Sequence, residues 1–176
     1  MGRPGFKPGK GRQTLLGGFD SLFLPPTSMT VVVRGCAFPE DRYYDVRHNV
    51  WMKSDEPGIV TLGATAYGVA IALEFLAFIP KPVGTEVERD RAVGLLELSK
   101  TIISVRTPVA GTVVAANEEA VKRPNLINKD PYASGWLVKL KVEGWPRATG
   151  ELLSGDTVAP AFEEAMRLER FDGPAQ

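Results

Sequence analysis

The chain has 176 residues, 44% hydrophobic and 24% charged, with 21 Lys+Arg against 21 Asp+Glu. That length suits one domain with appended sequence, and the balanced charge gives no general attraction to nucleic acid or to an anionic membrane. The single cysteine, Cys36, excludes an internal disulfide; with the single histidine, His48, it leaves a Cys/His zinc cluster short of ligands and any Ser–His–Asp or Cys–His centre dependent on His48 alone.

Residues 1–28 read as a flexible extension, with Arg3, Lys7, Lys10 and Arg12 set among glycines and prolines that cannot build a core. Leu22-Phe23-Leu24 is too short for a secretory apolar region. Met29 offers an alternative start, with the ordered protein beginning at Thr30. A β-rich domain is expected over residues 30–157, with a C-terminal helix and tail over 158–176.

Thr30–Val33 is β-branched and extended. Tyr43–Val46 and Asn49–Lys53 read as a strand pair or one bent strand, and Ser54–Gly58 as a hairpin turn feeding a strand at Ile59–Leu62. Thr65 is placed to cap a short helix reaching about Ala72. Phe75–Ile79 is the next strand. The apolar-rich stretch Val69–Pro82 is interrupted by Glu74, so it does not span a bilayer. Cysteine usage gives no sign of an oxidising compartment, and a cytoplasmic location is expected. Cys36 reads as a small buried or half-buried residue, and His48 as a surface or strand-edge residue.

Val93–Leu98 and Thr101–Val105 are apolar strands separated only by Ser99-Lys100, which sets that lysine at the outer end of a tight hairpin. Ser-Lys does not match the Asn-Gly preference of such turns, so turn propensity alone does not explain it. Pro108–Gly111 turns the chain into a strand at Thr112–Ala115. Asn117 caps a helical turn over Glu118–Lys122 that Pro124 ends, and Trp136–Val142 is a strand. Ala159–Phe171 reads as a helix with Phe162, Met166 and Leu168 on one side. Pro82–Val87 echoes Pro108–Val113, and the two copies flank the Ser99-Lys100 hairpin. Repeated short strands of this kind suggest a small sandwich or barrel with approximate two-fold symmetry.

From Tyr44 to Val142 the chain resembles the glycine-cleavage H protein family. The resemblance rests on the Trp51 strand, Leu62–Tyr67, Pro82-Val83-Gly84, Glu97-Leu98-Ser99-Lys100, Pro108–Val114 with Asn117, and Pro124–Tyr132 with Gly135-Trp136-Leu137. It implies a mainly β, lipoyl/biotinyl-type barrel-sandwich hybrid (hammerhead) fold with short helices and a C-terminal helix. It further implies a non-catalytic carrier with lipoate joined covalently to Lys100, with Glu97 and Ser99 belonging to the acceptor motif. Biotin carriers share that fold but place methionine on both sides of the acceptor, where Ser99 and Thr101 stand here. The implied partners are a lipoate ligase or octanoyl/lipoyl transferase, then glycine decarboxylase, aminomethyltransferase and dihydrolipoamide dehydrogenase.

The chain departs from the family pattern at Leu98, where the family has serine. It departs again at Asn49, where the family has a histidine two residues before the tryptophan; His48 is one position away, on the other side of a regular strand. The upstream Arg34-Gly35-Cys36, Pro39 and Tyr43-Tyr44 resemble the H-type lipoate-binding proteins of a heterodisulfide-reductase-like sulfur-oxidation system. That resemblance implies sulfur intermediates as the alternative cargo and the heterodisulfide-reductase-like complex as the alternative partner. A non-lipoylated interaction domain is a third class, against which the presence of both Glu97 and Lys100 speaks.

Overall fold

The computed structural model describes residues 29–175, so the expected N-terminal extension lies outside the described residues. Strands β1 (Thr30–Val33) and β2 (Cys36–Pro39) form a hairpin. Next come β3 (Tyr43–Asp45), β4 (Val50–Glu56), β5 (Ile59–Ala64), helix α1 (Ala66–Ala72), β6 (Ala77–Pro80) and β7 (Glu86–Val87). Then follow β8 (Ala92–Glu97), β9 (Ile102–Arg106) and β10 (Gly111–Ala116), helices α2 (Glu118–Lys122) and α3 (Asn125–Lys129), β11 (Val138–Lys141) and helix α4 (Val158–Leu168). A six-stranded sheet runs β3-β4-β5-β11-β10-β7, and a three-stranded sheet runs β6-β8-β9.

One core joins these two sheets: Val50, Met52, Val60 and Leu62 from the larger meet Phe78, Val93, Leu96 and Val105 from the smaller. A second cluster lies on the other side of the larger sheet, where Phe38, Tyr44, Trp51, Tyr67, Phe162 and Met166 pack together. Strand β4 serves both clusters because alternate residues face opposite ways: Val50 and Met52 enter the first and Trp51 the second. Cys36 is buried in the second cluster.

Thr65 caps α1 as expected, accepting a hydrogen bond from the Gly68 N–H, and Asn117 caps α2 through the Ala120 N–H. Tyr43–Val46 and Asn49–Lys53 resolve into a true antiparallel pair, β3 with β4, separated by a turn at residues 46–49. The β4–β5 turn is tighter than expected: pairing reaches Glu56–Ile59, leaving only Pro57-Gly58 at the tip, with a bulge between Ser54 and Glu56. The echoed segments are antiparallel neighbours. Gly111 pairs with Val87 and Thr112 with Glu86, and the Val113 N–H donates to the Thr85 carbonyl at 2.9 Å.

Two local expectations need correction, and one helix was not expected. Regular pairing begins at Ala77 rather than Phe75, because the Asn128 side chain takes both backbone groups of Phe75, accepting from its N–H at 2.9 Å and donating to its carbonyl at 3.0 Å. Helix α3 follows Pro124 directly, although its five residues show no apolar period. Leu168 is 66% exposed and does not join Phe162 and Met166. It sits two residues past Met166, about 200° around the helix, whereas Val158 at four-residue spacing completes the buried stripe.

The block from Pro124 to Leu137 fastens the two clusters together. The Trp51 indole N–H donates to the Pro131 carbonyl at 3.0 Å. Asn117 donates from its amide to the carbonyls of Ser134 and Trp136, at 2.8 and 2.7 Å. A β-carbon at Gly135 would lie 2.5 Å from the Leu126 carbonyl oxygen, so this crossing admits only glycine. At Gly63 the Trp51 ring lies flat across the backbone, and a β-carbon there would be 2.6 Å from three ring atoms.

Gly63→Ala is therefore expected to force the buried indole out of place and destabilise the fold by about 2 kcal/mol. Chemical denaturation followed by tryptophan fluorescence checks this; an unchanged midpoint would contradict the close approach. Burial pushes the Cys36 thiol up to about 11. Its alkylation at pH 8 is expected to run roughly a hundredfold slower in the native protein than in denaturant, since only the thiolate reacts.

Candidate functional site: a lysine hairpin beside an apolar cleft

Strands β8 and β9 pair from Ala92–Arg106 to Glu97–Ile102, and the Leu98 N–H then donates to the Thr101 carbonyl at 2.8 Å. This bond leaves Ser99 and Lys100 alone at the tip, both exposed. Neither has a positive φ. The turn is thus not of the mirror-image type that calls for Asn-Gly, and Ser-Lys fits it without strain. The mismatch noted in the sequence is a matter of turn type and is no sign of stored strain. Glu97 lies on the outward face of the three-stranded sheet between Ala77 and Ile102.

Beside this hairpin runs a cleft of about 260 Å³. Leu96, Leu98, Ile103 and Val105 from the hairpin form one wall; Gly68, Ile71 and Ala72 of α1 with Phe75 form the other. Val50, Ala64 and Leu137 line it as well, as do Asn49 and His48, and His48 is bonded to Asp90, whose backbone meets Arg106 and Thr107 at the end of β9 away from Lys100. Its lining residues include no carboxylate. A larger hollow of about 480 Å³ lies on the other side of α1, over Gly35, Cys36 and Tyr132, but none of its lining residues belongs to the hairpin.

The cleft wall is positioned by backbone contacts. The Thr65 N–H donates to the Asn49 carbonyl at 2.9 Å, and a β-carbon on Gly68 would approach Asn49 Cβ to 3.0 Å. Asn49 itself has φ 54, a left-handed conformation that asparagine tolerates better than most residues. The expectation that His48 faces opposite to Asn49 across a regular strand therefore fails, since both lie in the turn. Asn49 Oδ1 is buried and meets no hydrogen-bond donor among the described residues.

His48 is half-buried, with Nε2 2.8 Å from Asp90 Oδ1. That hydrogen bond, assisted by Arg47 and Arg89, holds the Asp90 carboxyl below the usual carboxylate range. Asp45, His48 and Asp90 place ligand-type atoms within 4.8 Å of one another. The Arg47 guanidinium lies 3.1 Å from Asp45 and 3.5 Å from Asp90, and already supplies the positive charge this group needs. The sequence did not single out Asp90; its partnership with His48 spans 42 positions and has no local signature.

Comparison with known proteins agrees with this geometry. A family model for the glycine cleavage H-protein matches residues 42–165. The chain is 38% identical over 136 residues to "Glycine cleavage system H protein 2" of Aquifex aeolicus, covering 77% of this chain and 84% of that one. It is 36% identical over 143 residues to "Probable glycine cleavage system H protein 2" of Saccharolobus solfataricus, covering 80% and 96%. Among solved structures, a glycine cleavage system H protein from Mycobacterium marinum superposes with a TM-score of 0.63 at 28% identity, covering 71% of this chain and 98% of that one. With its mainly β barrel-sandwich fold and a family match across most of its length, this chain belongs to the glycine cleavage H-protein family.

Proposed function

We propose that this chain is a non-catalytic lipoyl carrier in which the Lys100 Nζ holds lipoate through an amide. The observation that carries this reading is the juxtaposition of an exposed lysine at a rigid hairpin tip with an apolar cleft running back from it. The arm from Lys100 Cα to the sulfurs comprises about a dozen bonds, or roughly 15 Å extended. From Lys100 to Val105, five strand residues span about 17 Å. The arm is therefore about long enough to run the length of β9 beside the cleft. Leu98 and Ile103 at the near end suit its methylene chain.

When bound, the group supplies a dithiol/disulfide couple that takes up and releases cargo with two electrons. The protein's part is to present Lys100 to a lipoate ligase or octanoyl/lipoyl transferase, with Glu97 and Ser99 flanking the acceptor. It then shields the loaded end from water in the cleft. In the glycine-cleavage reading, the cargo is an aminomethyl group moving between glycine decarboxylase and aminomethyltransferase, and dihydrolipoamide dehydrogenase reoxidises the arm.

A specific observation favours a second cargo. An aminomethyl amine is cationic, yet the cleft offers apolar walls, the Asn49 amide, the His48 ring and Ser104, and no carboxylate. Burying a cation without a counter-charge is costly. A sulfur cargo destined for a heterodisulfide-reductase-like complex needs no such counter-charge when it is held in an uncharged form.

Co-expression with a lipoylating enzyme is expected to add one lipoyl group, located at Lys100 by peptide mass spectrometry and lost in Lys100→Arg. Placement on another lysine would defeat the carrier reading. Exchange of labelled bicarbonate into glycine with glycine decarboxylase separates the cargoes. Exchange that vanishes in Lys100→Arg supports glycine cleavage. Its absence, together with a reduced sulfur species bound to the arm, supports the second cargo.

A further inference from the structure

The face of the larger sheet that carries Trp51 holds a small hollow lined by charge. Strand β5 turns Val60 and Leu62 into the first core and Thr61 the opposite way. Thr61 pairs with Lys53 on β4 and with Lys139 on β11, so the three stand in a row across neighbouring strands, roughly 5 Å apart. The Trp51 ring, laid across Gly63, ends this row. Arg42, Tyr132 and Trp136 complete a hollow of about 180 Å³.

Two polar side chains in it go unused within the chain. The Arg42 side chain is only 12% exposed, and ring faces hold its guanidinium: the central carbon lies 4.4 Å from the Trp51 ring centroid and 5.3 Å from that of Tyr132. A guanidinium carries five N–H donors, and stacking leaves them free to bind in its own plane. None of them makes a hydrogen bond among the described residues; Nε is buried, and Asp41 Oδ1, 3.2 Å away, lies outside hydrogen-bond geometry. Thr61 is 6% exposed, and its hydroxyl also has no hydrogen-bond partner among the described residues. Polar groups this deeply placed are ordinarily satisfied, because leaving them unpaired is costly.

The charges of the lining are also incompletely matched. Asp41 stands beside Arg42, and Lys53 meets Asp41 at 2.8 Å and Asp55 at 3.8 Å. Lys139 has no ion pair among the described residues; its ammonium lies 5.5 Å from the Trp136 ring centroid. The hollow therefore has room for one negative charge.

We propose that this hollow binds a carboxylate on a short stem, with Arg42, Thr61 and Lys139 as its donors. A carboxylate brings acceptors only, and its two oxygens suit the planar fork of an arginine. It also brings a single negative charge, where a phosphate dianion would exceed what Lys139 leaves unmatched. The size of the hollow, below the roughly 300–1,000 Å³ of pockets for drug-sized ligands, limits the occupant to a group of few atoms. Such a group is supplied by a small organic acid or by an acidic side chain of a bound protein. The site does not rest on Lys100 being acylated. Strands β4 and β5 present Val50 and Ala64 to the cleft beside the Ser99-Lys100 hairpin, and Lys53 and Thr61 to this hollow, so both can be filled together.

The test is an NMR titration of the full, unmodified chain with sodium acetate, at ionic strength held constant with chloride. Saturable shifts are expected at the Thr61 amide and the Trp136 indole N–H, with a Kd on the order of 1 mM. Arg42→Lys keeps the charge and loses the fork, Thr61→Val keeps the shape and loses the hydroxyl, and Lys139→Gln loses the charge. Each is expected to weaken binding about tenfold. Lys141→Gln, on the same strand and face but outside the hollow, is expected to leave binding unchanged. Glutamate blocked at both backbone ends, titrated in parallel, separates the sources: tighter binding than acetate identifies a protein side chain, and weaker binding a free acid. Shifts that rise without saturating would overturn the proposal. So would unchanged binding in the three lining variants, an equal loss in Lys141→Gln, or tighter binding of inorganic phosphate than of acetate.

Discussion

The Tyr132 hydroxyl is used twice. It donates to the Ala37 carbonyl at 2.6 Å and accepts from the Ala66 N–H at 3.0 Å. Burial pushes this phenol up, so it stays protonated and serves as donor and acceptor at once. The two bonds tie the β1–β2 hairpin to the start of α1 and fix where the helix begins. Asn49 fixes the same point from the other side through the Thr65 N–H. One wall of the cleft therefore depends on a tyrosine 66 positions away from the helix it holds. Moving that bond would shift Gly68, Ile71 and Ala72 together, because seven helical residues behave as a rigid unit.

Backbone strain gathers around this same wall. Asn49 and Leu73, at the two ends of the α1 region, both have positive φ, and so does Asp90, which grips His48 beside the cleft. Each such residue costs about 1–3 kcal/mol relative to an ordinary conformation. The Ser99-Lys100 turn, by contrast, is unstrained. Ser99 and Lys100 are held by the Leu98–Thr101 hydrogen bond and by well-paired strands. A presented lysine needs a fixed base and a free side chain, and a relaxed two-residue turn on a rigid hairpin provides both.

Much of this was legible in the sequence where the cause is local. Thr65 and Asn117 announce their helices because a capping side chain and its backbone partner lie three residues apart. The Ser99-Lys100 hairpin is legible because apolar strands flank a two-residue gap. Features with distant causes were not. Asn128 shortens β6 from 53 positions away, and no window around Phe75 contains that information. Leu168 is a different case, because two residues along a helix turn it about 200° from Met166, a local angle that already removes it from the buried stripe. Asn49 and His48 could be noted as departures, but the turn that places them in the lining of a cleft depends on Gly68 and Asp90 approaching from other elements.

The residues that mark the family and the residues that line the cleft are largely different sets. Trp51, Asn117, Tyr132 and Gly135 hold backbone carbonyls, cap a helix or allow a close crossing, and none of them lines the cleft. Asn49 and Leu98, where the chain departs from the family pattern, both line it. The frame is constrained by packing and hydrogen bonds that tolerate little change, since an unpaired buried polar group costs about 1–3 kcal/mol. Within the cleft lining Val50, Leu96 and Leu137 share that burden as members of the core, but the half-buried Leu98 lies at its edge, where one neutral side chain can replace another without loosening the sheets. A fold of this kind can keep its sheets while the rim of its cleft changes, because the Pro124–Leu137 block that fastens the sheets and the rim residue Leu98 belong to separate elements.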